Sequence, residues 1–174
     1  YDAEIELVES LPAAPPLREP SAISAPLAAS ANEAYDRWLF HGPMYQVIES
    51  FGGADETGID ALVRGSATPV VDGASIPWVL DPVVVDAAPQ LAMIWSRALY
   101  DIAVLPSRIS SYRVYAPPGD GPVEMRLRVR PGSDRQVYHA DVWIVRDGKL
   151  IAHMEGLEGA GGQHLNRIAI SGAL

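Results

Sequence analysis

The most apolar stretch of the chain, residues 83–100, repeats its apolar side chains at intervals of three or four positions. The repeat is carried by Val83, Val84, Ala87, Leu91, Ile94, Trp95 and Ala98. This spacing is that of one face of an α-helix, so we predict a buried helix here. Pro82 suits its first turn, whereas Pro89 should either kink the helix or mark its true beginning.

Elsewhere apolar and polar residues tend to alternate, which predicts strands with two different faces. The predicted strands are residues 44–51, 59–68, 102–105, 109–116, 122–130, 136–146 and 149–157. Residues 52–55 should form the turn between the first two strands, and Asp147-Gly148 is a strong hairpin signal between the last two. One long helix followed by a run of antiparallel strands indicates an α+β fold in which a sheet wraps around the helix.

The N-terminal part of the chain has a different character. Charged and apolar residues alternate over 3–9, which predicts a strand, and prolines then recur among Ala and Ser, which predicts a semi-rigid linker. Ser30 and Glu33 have the spacing of a helix capping box. We therefore divide the chain into a strand at 1–10, a linker at 11–29, a domain at 30–158 and a loose, Gly-rich tail at 159–174.

Composition narrows the classes of partner. The 174-residue chain has no cysteine, which excludes disulfides and thiolate metal sites and fits a reducing, cytoplasmic compartment. Its formal net charge of −9 repels phosphate backbones and anionic lipid, so nucleic acid and membrane surfaces are not expected partners. No apolar run approaches the ~20 residues of a membrane span.

Asp86 is the first candidate for chemistry, because it lies on the apolar helix with Gln90 one turn later on the same face. Its sequence neighbours on both sides are Val or Ala, so the carboxyl group is expected to be buried, costly to ionise and protonated near neutral pH, as a general acid requires. The alternative is that Asp86 caps the helix. Asp81, directly before Pro82, is better placed as the cap, which favours a catalytic role for Asp86.

A second candidate cluster is the turn His41-Gly42-Pro43-Met44-Tyr45-Gln46, in which Gly-Pro forces a bend beside hydrogen-bonding side chains. Taken alone, a histidine before a turn is more often structural than catalytic. A third cluster, the turn at Leu105-Pro106 after the helix, carries no chemistry by itself. The sequence patterns of serine hydrolases, zinc sites and nucleotide-phosphate loops are not found, so we set these classes aside.

In this order and at this spacing, the clusters resemble the second half of a modular polyketide-synthase dehydratase. Members of that family carry a Gly-Pro-x-Phe-Gln loop, which here reads Gly42-Pro43-Met44-Tyr45-Gln46. They also carry an Asp-x-x-x-Gln sequence on the central helix, here Asp86 to Gln90, with a proline four residues before the Asp, here Pro82.

The later part of the chain agrees with the same family. A Leu-Pro turn enters a strand after the helix, here Leu105-Pro106, and an Asp-Gly hairpin leads to a last strand that ends in Glu155-Gly156-Leu157. The resemblance covers Trp38–Leu157. The sequence Phe40-His41-Gly42-Pro43 is similar to dehydratase regions of iterative synthases of the enediyne and polyunsaturated-fatty-acid kind.

The resemblance implies a double hotdog fold, of which this chain is the second half, with the active site between the halves. It implies that a His of the first half removes the α-proton of a β-hydroxyacyl thioester, that Asp86 protonates the departing hydroxyl and that Gln90 orients Asp86. His41 would be a further donor. The residues expected to shape the substrate site are Gly42, Pro43, Tyr45, Gln46, Pro82, Leu105 and Pro106.

The same resemblance implies the partners. The substrate would arrive on the phosphopantetheine arm of an acyl carrier protein, and the domain itself would bind no cofactor and no metal. The N-terminal hotdog half and other domains of a polyketide or fatty-acid synthase are the expected neighbours, and a homodimer is left open.

Three positions depart from the family pattern. The catalytic His occurs in the family as His-x-x-x-Gly-x-x-x-x-Pro, and none of the histidines here fits. His41 stands where the family usually has Tyr, and Asp81 stands where it has His before the helix proline. The strand predicted at 1–10 resembles the closing strand of a first hotdog, followed by the inter-domain linker. We therefore expect the rest of the first half to be absent from this chain or removed from it, and the isolated chain to be inactive.

Two alternatives are left open by the sequence. The chain could be a non-catalytic hotdog that binds an acyl chain or spaces the domains of a megasynthase. It could also be a product-template-like cyclase, which shares the architecture.

Overall fold

The structure is a computed structural model. It describes residues 2–16, 18, 20–67, 70–72, 74–76, 78–119, 121–133 and 136–167. Its helices are α1 (Ala31–Arg37) and α2 (Pro82–Tyr100), with short 3-10 helices at Pro43–Tyr45 and Gln163–Arg167. Its strands are β1 (Ile48–Asp55), β2 (Gly58–Arg64), β3 (Val70–Val71), β4 (Ala74–Ser75), β5 (Ala103–Val114), β6 (Pro122–Val129), β7 (Val137–Arg146) and β8 (Lys149–Gly162).

Six of these strands form one antiparallel sheet in the order β1-β2-β6-β7-β8-β5, and β3 and β4 pair separately. The alternation seen in the sequence holds on β6, where Met125 and Leu127 are fully buried and Arg126 and Arg128 lie on the other face. The hairpin predicted at Asp147-Gly148 is confirmed: both residues have positive φ, as the turn between β7 and β8 requires.

The predicted central helix is confirmed as α2, which packs its apolar side against this sheet. Leu91, Ile94 and Ala87 are fully buried in that contact. The helix begins at Pro82 and continues through Pro89, so the possibility that Pro89 marks its true beginning is wrong. The burial of one continuous stripe explains why the helix tolerates a proline, because packing rather than local propensity stabilises it.

The capping box predicted ahead of α1 is also confirmed. The backbone N–H of Glu33 donates to the Ser30 hydroxyl at 3.3 Å, and the Ser30 N–H donates to the Glu33 carboxylate at 2.8 Å. These bonds satisfy two of the N–H groups that a helix start leaves open. The box fixes where α1 starts, and α1 in turn carries Tyr35 into the core, where it is 8% exposed.

Part of the predicted linker is bound to the sheet. Residues 20–25, which we call the strap, cross the face of β2 and β6 that points away from α2. The Ile23 N–H donates to Asp60 Oδ2 at 2.8 Å, and Arg128 bridges Asp60 Oδ1 at 2.5 Å to the Ser21 carbonyl at 2.7 Å. The linker prediction therefore missed that this segment is held by a nearly buried ion pair.

The strap also explains an error in the first strand. The turn predicted at residues 52–55 is wrong, because β1 runs through them and the turn follows at residues 56–57. A Cβ on Gly53 would lie 2.1 Å from the Ile23 carbonyl oxygen, and the Ala54 N–H donates to the Ala25 carbonyl at 2.8 Å. Glycine is needed here for the close approach of another backbone rather than for a turn.

Two predictions concern the chain ends. Residues 2–10 pair with none of the described strands and form no strand within this chain, so their role as the closing strand of a preceding hotdog stays a prediction. The loose tail predicted from residue 159 is wrong in its first part, because β8 continues to Gly162. A Cβ on Gly159 would lie 2.2 Å from Tyr138 Cε1, so this glycine permits tight packing. Residues 168–174 lie outside the described part.

No helix within the described residues combines the length and the hydropathy that crossing a bilayer requires.

Candidate active site

Asp81 caps α2. Its carboxylate accepts from the Val83 N–H at 2.9 Å, the Ser66 N–H at 2.7 Å and the Ser66 hydroxyl at 2.9 Å, and the residue is 2% exposed. Both carboxylate oxygens accept hydrogen bonds, so Asp81 stabilises the start of the helix. Members of the family that the sequence resembles have a histidine at this position. The expectation that Asp81, and not Asp86, is the cap is confirmed.

Asp86 lies one turn further along α2, on the side away from the sheet. Its side chain is 35% exposed, whereas Ala87 beside it is fully buried. The expectation of a buried Asp86 is therefore wrong in this structure. The reason is the helical repeat: Val85, Asp86 and Pro89 share the partly exposed face. The buried face carries Val84, Ala87 and Ala88.

A buried network holds one oxygen of Asp86. Gln90, which is 1% exposed, donates from Nε2 to Asp86 Oδ2 at 2.8 Å and to the Tyr45 carbonyl at 3.0 Å. Its Oε1 accepts from the Tyr35 hydroxyl at 2.8 Å. The same Tyr35 oxygen accepts from the backbone N–H groups of residues 47 and 48 at 2.9 and 3.0 Å. The structure thus brings the predicted Gln90 to Asp86.

Tyr35 is a site residue that the sequence motifs missed. The capping box ahead of the loop at residue 41 predicted a helix start, but no sequence pattern assigned Tyr35 a role. A signal was available in a polar aromatic residue on the short capped helix directly ahead of that loop. A buried tyrosine hydroxyl usually has a hydrogen-bond partner. Which residue is that partner depends on how the chain folds, so the sequence alone could not name it.

His41 forms the other side of the site. Its Nε2 is 3.4 Å from Asp86 Oδ2, its side chain is 16% exposed and its ring stacks on Phe40 at 4.6 Å. Nδ1 is buried and has no hydrogen-bond partner within the described part of the chain. Burial lowers the pKa of His41 below its usual value, and the Asp86 charge opposes that shift. The imidazole is therefore neutral at neutral pH, with its Nε2 side facing Asp86.

The turn after His41 fixes these positions. Gly42 precedes a 3-10 helix whose first residue is Pro43, and the Gln46 side-chain amide donates to the His41 carbonyl at 2.9 Å. Tyr45 takes part through its carbonyl group, while its side chain is 38% exposed. The loop predicted as a site element thus contacts α2 through its backbone and through His41.

Two other predicted regions are not joined to this cluster. Leu105 and Pro106 lie on β5, paired with Ala160 and Gly159 of β8. In the described part of the chain no hydrogen bond or ion pair links either of them to His41, Asp86 or Gln90. Pro82 is the exposed first residue of α2. A role for these three in substrate binding stays a prediction.

A cavity of about 370 Å³ lies near Trp95, Tyr100 and Arg130, and Asp86 does not line it. Asp86 is instead partly exposed at the surface, and Phe40 and Met44 are exposed on the loop that carries His41. Among the described residues no three His, Asp or Glu side chains cluster as metal ligands would. Chemically, the site offers one carboxyl group with Oδ2 held and Oδ1 without a hydrogen-bond partner among the described residues.

A comparison with protein families gives one match. Residues 13–160 match the family model described as "Polyketide synthase dehydratase N-terminal domain". That description names an N-terminal domain, whereas the motifs around Asp86 point to the second half, so the assignment to the second half stays a prediction. No curated protein matches the chain.

Solved structures resemble this one in fold. The dehydratase domain from the CurJ module of curacin polyketide synthase is 18% identical with a TM-score of 0.61, over 77% of this chain and 50% of that one. A trans-AT PKS dehydratase domain from Brevibacillus brevis is 21% identical with a TM-score of 0.60, over 80% and 55%. The dehydratase domain of RzxB from Pseudomonas fluorescens is 18% identical with a TM-score of 0.59, over 75% and 48%.

These likenesses confirm the predicted hotdog fold, an antiparallel sheet packed on a central helix. The chain spans about half the length of the dehydratase structures that it matches.

Proposed function

Because the chain belongs to the polyketide synthase dehydratase family, we propose that it is the hotdog half that supplies the general acid for dehydration of a β-hydroxyacyl thioester. One observation carries the proposal. Asp86 is held at Oδ2 by a buried amide at 2.8 Å while Oδ1 has no hydrogen-bond partner among the described residues, and the side chain is 35% exposed. A general acid requires this combination of a fixed carboxyl group and a free, reachable oxygen.

In the proposed reaction the proton on Asp86 Oδ1 passes to the β-hydroxyl of the substrate. The bond between the β-carbon and that oxygen breaks, water leaves, and a base takes the α-proton, whose electron pair forms the new double bond. The products are an α,β-enoyl thioester, water, the Asp86 carboxylate and the protonated base. Return of the base's proton to the carboxylate through water restores both groups.

The base has to come from outside the Asp86 cluster. His41 is the nearest imidazole, but its Nε2 faces Asp86 at 3.4 Å and its Nδ1 is buried, so neither nitrogen is open to a substrate α-proton. We propose that a His of a first hotdog half is that base. His41 then serves to hold Asp86 from one side while Gln90 holds it from the other.

Exposed apolar side chains on the loop that carries His41 support the proposal that another domain covers this surface. Met44 is 77% exposed, Phe40 44% and Tyr45 38%, and all three belong to the loop that carries His41. Exposed apolar groups around a polar centre are typical of a surface that another domain or a ligand covers. We propose that the first hotdog half covers this loop and that the acyl chain, delivered on the phosphopantetheine arm of an acyl carrier protein, passes between the halves.

The experiment is a reconstitution. The chain is assayed alone and together with a His-bearing first hotdog half, on a β-hydroxyacyl thioester of acyl carrier protein, and mass spectrometry follows the loss of water. We expect no product from the chain alone and the enoyl thioester from the assembly. An assembly that binds the thioester but leaves it unchanged would support a non-catalytic hotdog, and a cyclised product would support a cyclase; either result contradicts the proposal.

A further inference from the structure

Resting on the proposed function, we infer that Tyr35 is a positioning residue for the dehydration: it fixes the orientation of the Gln90 amide and so decides which oxygen of Asp86 carries the acid proton. Tyr35 lies below the surface on α1 and does not contact Asp86 through a hydrogen bond. It acts through one intermediate group, the Gln90 side chain.

The hydroxyl group of Tyr35 has no freedom in its hydrogen bonds. A phenol has one O–H to donate and lone pairs to accept with. Its oxygen accepts from the N–H groups of Val47 and Ile48 at 2.9 and 3.0 Å, so its proton is the remaining group and must point to an acceptor. Gln90 Oε1 at 2.8 Å is that acceptor, whereas the Tyr45 carbonyl is at 3.5 Å. Burial also raises the pKa of Tyr35, which keeps that proton in place.

This donor determines the rest of the amide. The two ends of a glutamine amide have similar shapes and are told apart by their partners. Because Tyr35 donates, the end of Gln90 that faces it must be the oxygen. The nitrogen then faces the Tyr45 carbonyl at 3.0 Å and Asp86 Oδ2 at 2.8 Å, and both of its hydrogens have acceptors. A flipped amide would place an oxygen against a carbonyl oxygen and leave the buried Tyr35 proton without an acceptor.

The state of Asp86 follows from the amide. Oδ2 receives the Gln90 N–H and faces His41 Nε2 at 3.4 Å, so it is the oxygen that accepts. Nδ1 of His41 is buried and has no hydrogen-bond partner in the residues that the structure describes. This places the proton of the neutral ring on Nε2, toward Asp86, because an unpaired buried N–H is the costlier choice. Because Oδ2 accepts from Gln90 and faces the His41 ring at 3.4 Å, the acid proton of Asp86 is on Oδ1, the oxygen without a hydrogen-bond partner among the described residues.

The same arrangement favours the transition state. As Oδ1 gives up its proton, negative charge develops over both oxygens of Asp86. The Gln90 N–H already points at Oδ2 and stabilises that charge without reorganising. Loss of the Tyr35 hydroxyl should therefore lower kcat and leave KM little changed, since the substrate contacts neither Tyr35 nor Gln90 in this scheme.

The test compares Tyr35→Phe, Gln90→Ala and the double variant in the reconstituted dehydratase. Tyr138→Phe is the matched control, because the Tyr138 hydroxyl on β7 is buried and no described residue forms a hydrogen bond with it. We expect Tyr35→Phe to lower kcat by about 10- to 100-fold, the cost of small misplacements in an active site. The double variant should be no slower than Gln90→Ala, because Tyr35 acts through Gln90. A parental kcat for Tyr35→Phe, or losses that multiply in the double variant, would overturn the inference.

A second variant covers the case in which Tyr35→Phe does not fold. Gln90→Glu can still accept from Tyr35, but as a carboxylate it has no N–H for Asp86 or Tyr45. We expect a loss of about 100-fold at neutral pH and a partial recovery at acid pH, where the new side chain regains a proton to donate. A pH profile parallel to that of the parent would contradict the inference.

The chain alone provides a readout that does not depend on dehydration. In proton–nitrogen NMR spectra the side-chain amide protons of Gln90 should exchange slowly with solvent in the parent and in Tyr138→Phe, and quickly in Tyr35→Phe. If the reconstituted parent fails to dehydrate while this pattern holds, the proposed function fails and the placement of the amide by Tyr35 survives. Equal exchange in all three proteins would refute that placement.

Discussion

Two aspartates on opposite sides of the molecule show how the same side chain is used for structure and for chemistry. Asp60, under the strap, is 10% exposed in its side chain, with Arg128 on one oxygen at 2.5 Å and the Ile23 N–H on the other at 2.8 Å. Asp86 is 35% exposed, and its hydrogen bond and its close approach to His41 both fall on Oδ2. A carboxylate that accepts hydrogen bonds at both oxygens has no oxygen left for proton transfer, whereas one with a free oxygen can exchange a proton.

The largest predicted difference between Asp60 and Asp86 is in their contribution to the free energy of unfolding. Asp60→Ala should lower the free energy of unfolding by about 3–5 kcal/mol, because it leaves the Arg128 charge nearly buried without its partner. Asp86→Ala should lower it by about 1 kcal/mol or less, since water can reach the groups that it leaves. Urea denaturation of both variants measures the two values. Equal losses would show that the two carboxylates do not differ in the way described.

Asp81, the third aspartate with a defined role, should give an intermediate effect. Asp81→Ala removes the acceptor of the Val83 N–H at the start of α2 and of the Ser66 N–H and hydroxyl. We expect a loss of about 2 kcal/mol, the upper end for a helix cap. Asp81→Asn keeps one carbonyl acceptor and should lose less than the alanine variant. An alanine variant as stable as the parent would show that Asp81 does not stabilise the fold.

Two buried tyrosines sharpen the comparison on a smaller scale. Tyr35→Phe removes a hydroxyl with three hydrogen-bond partners and should lower the free energy of unfolding by about 1–3 kcal/mol. Tyr138→Phe removes a buried hydroxyl that has no hydrogen-bond partner among the described side chains and backbone groups, so it should be neutral or slightly stabilising. Thermal denaturation of the pair checks this, and the opposite order would mean that the network around Gln90 does not stabilise the fold.

The smallest predicted effect is a dependence of stability on pH. Burial lowers the pKa of both His41 and His153 below the ordinary value of 6.5. As the pH falls below 6.5, the unfolded chain binds protons that the folded chain does not, so stability decreases; above 6.5 this contribution is fully present. The melting temperature measured across this range should show that slope, and His41→Phe combined with His153→Phe should flatten it. A slope that steepens in the double variant would contradict the assigned direction.

Sequence patterns predicted those elements that are determined by residues close together in the chain. The three- and four-residue repeat gave α2, the Ser30–Glu33 spacing gave the cap of α1, and Asp147-Gly148 gave the last hairpin. The failures have a tertiary cause. Gly53 and Gly159 suggested a turn and a loose tail, yet each is a glycine because another residue, Ile23 or Tyr138, lies where its Cβ would be. Nothing in a single sequence names such a neighbour.

The residues of the candidate site also divide into those that local sequence patterns predict and those that depend on the fold. Asp86 and Gln90 were predictable because they are one turn apart on one helix. Tyr35 reaches Gln90 across 55 positions of sequence, so its role depends on how α1 packs beside α2. The partial exposure of Asp86 was missed for a related reason: its apolar neighbours in the chain are turned away from it by the helix.

The central claim is that Asp86 is the general acid, and the rate of dehydration by the reconstituted enzyme tests it most directly. Asp86→Asn is compared with Asp36→Asn, which changes an exposed aspartate on α1. The account predicts that Asp86→Asn lowers kcat by about 100- to 10,000-fold, the usual contribution of acid–base catalysis, and that Asp36→Asn leaves it unchanged. Turnover by Asp86→Asn at the parental rate would contradict the account.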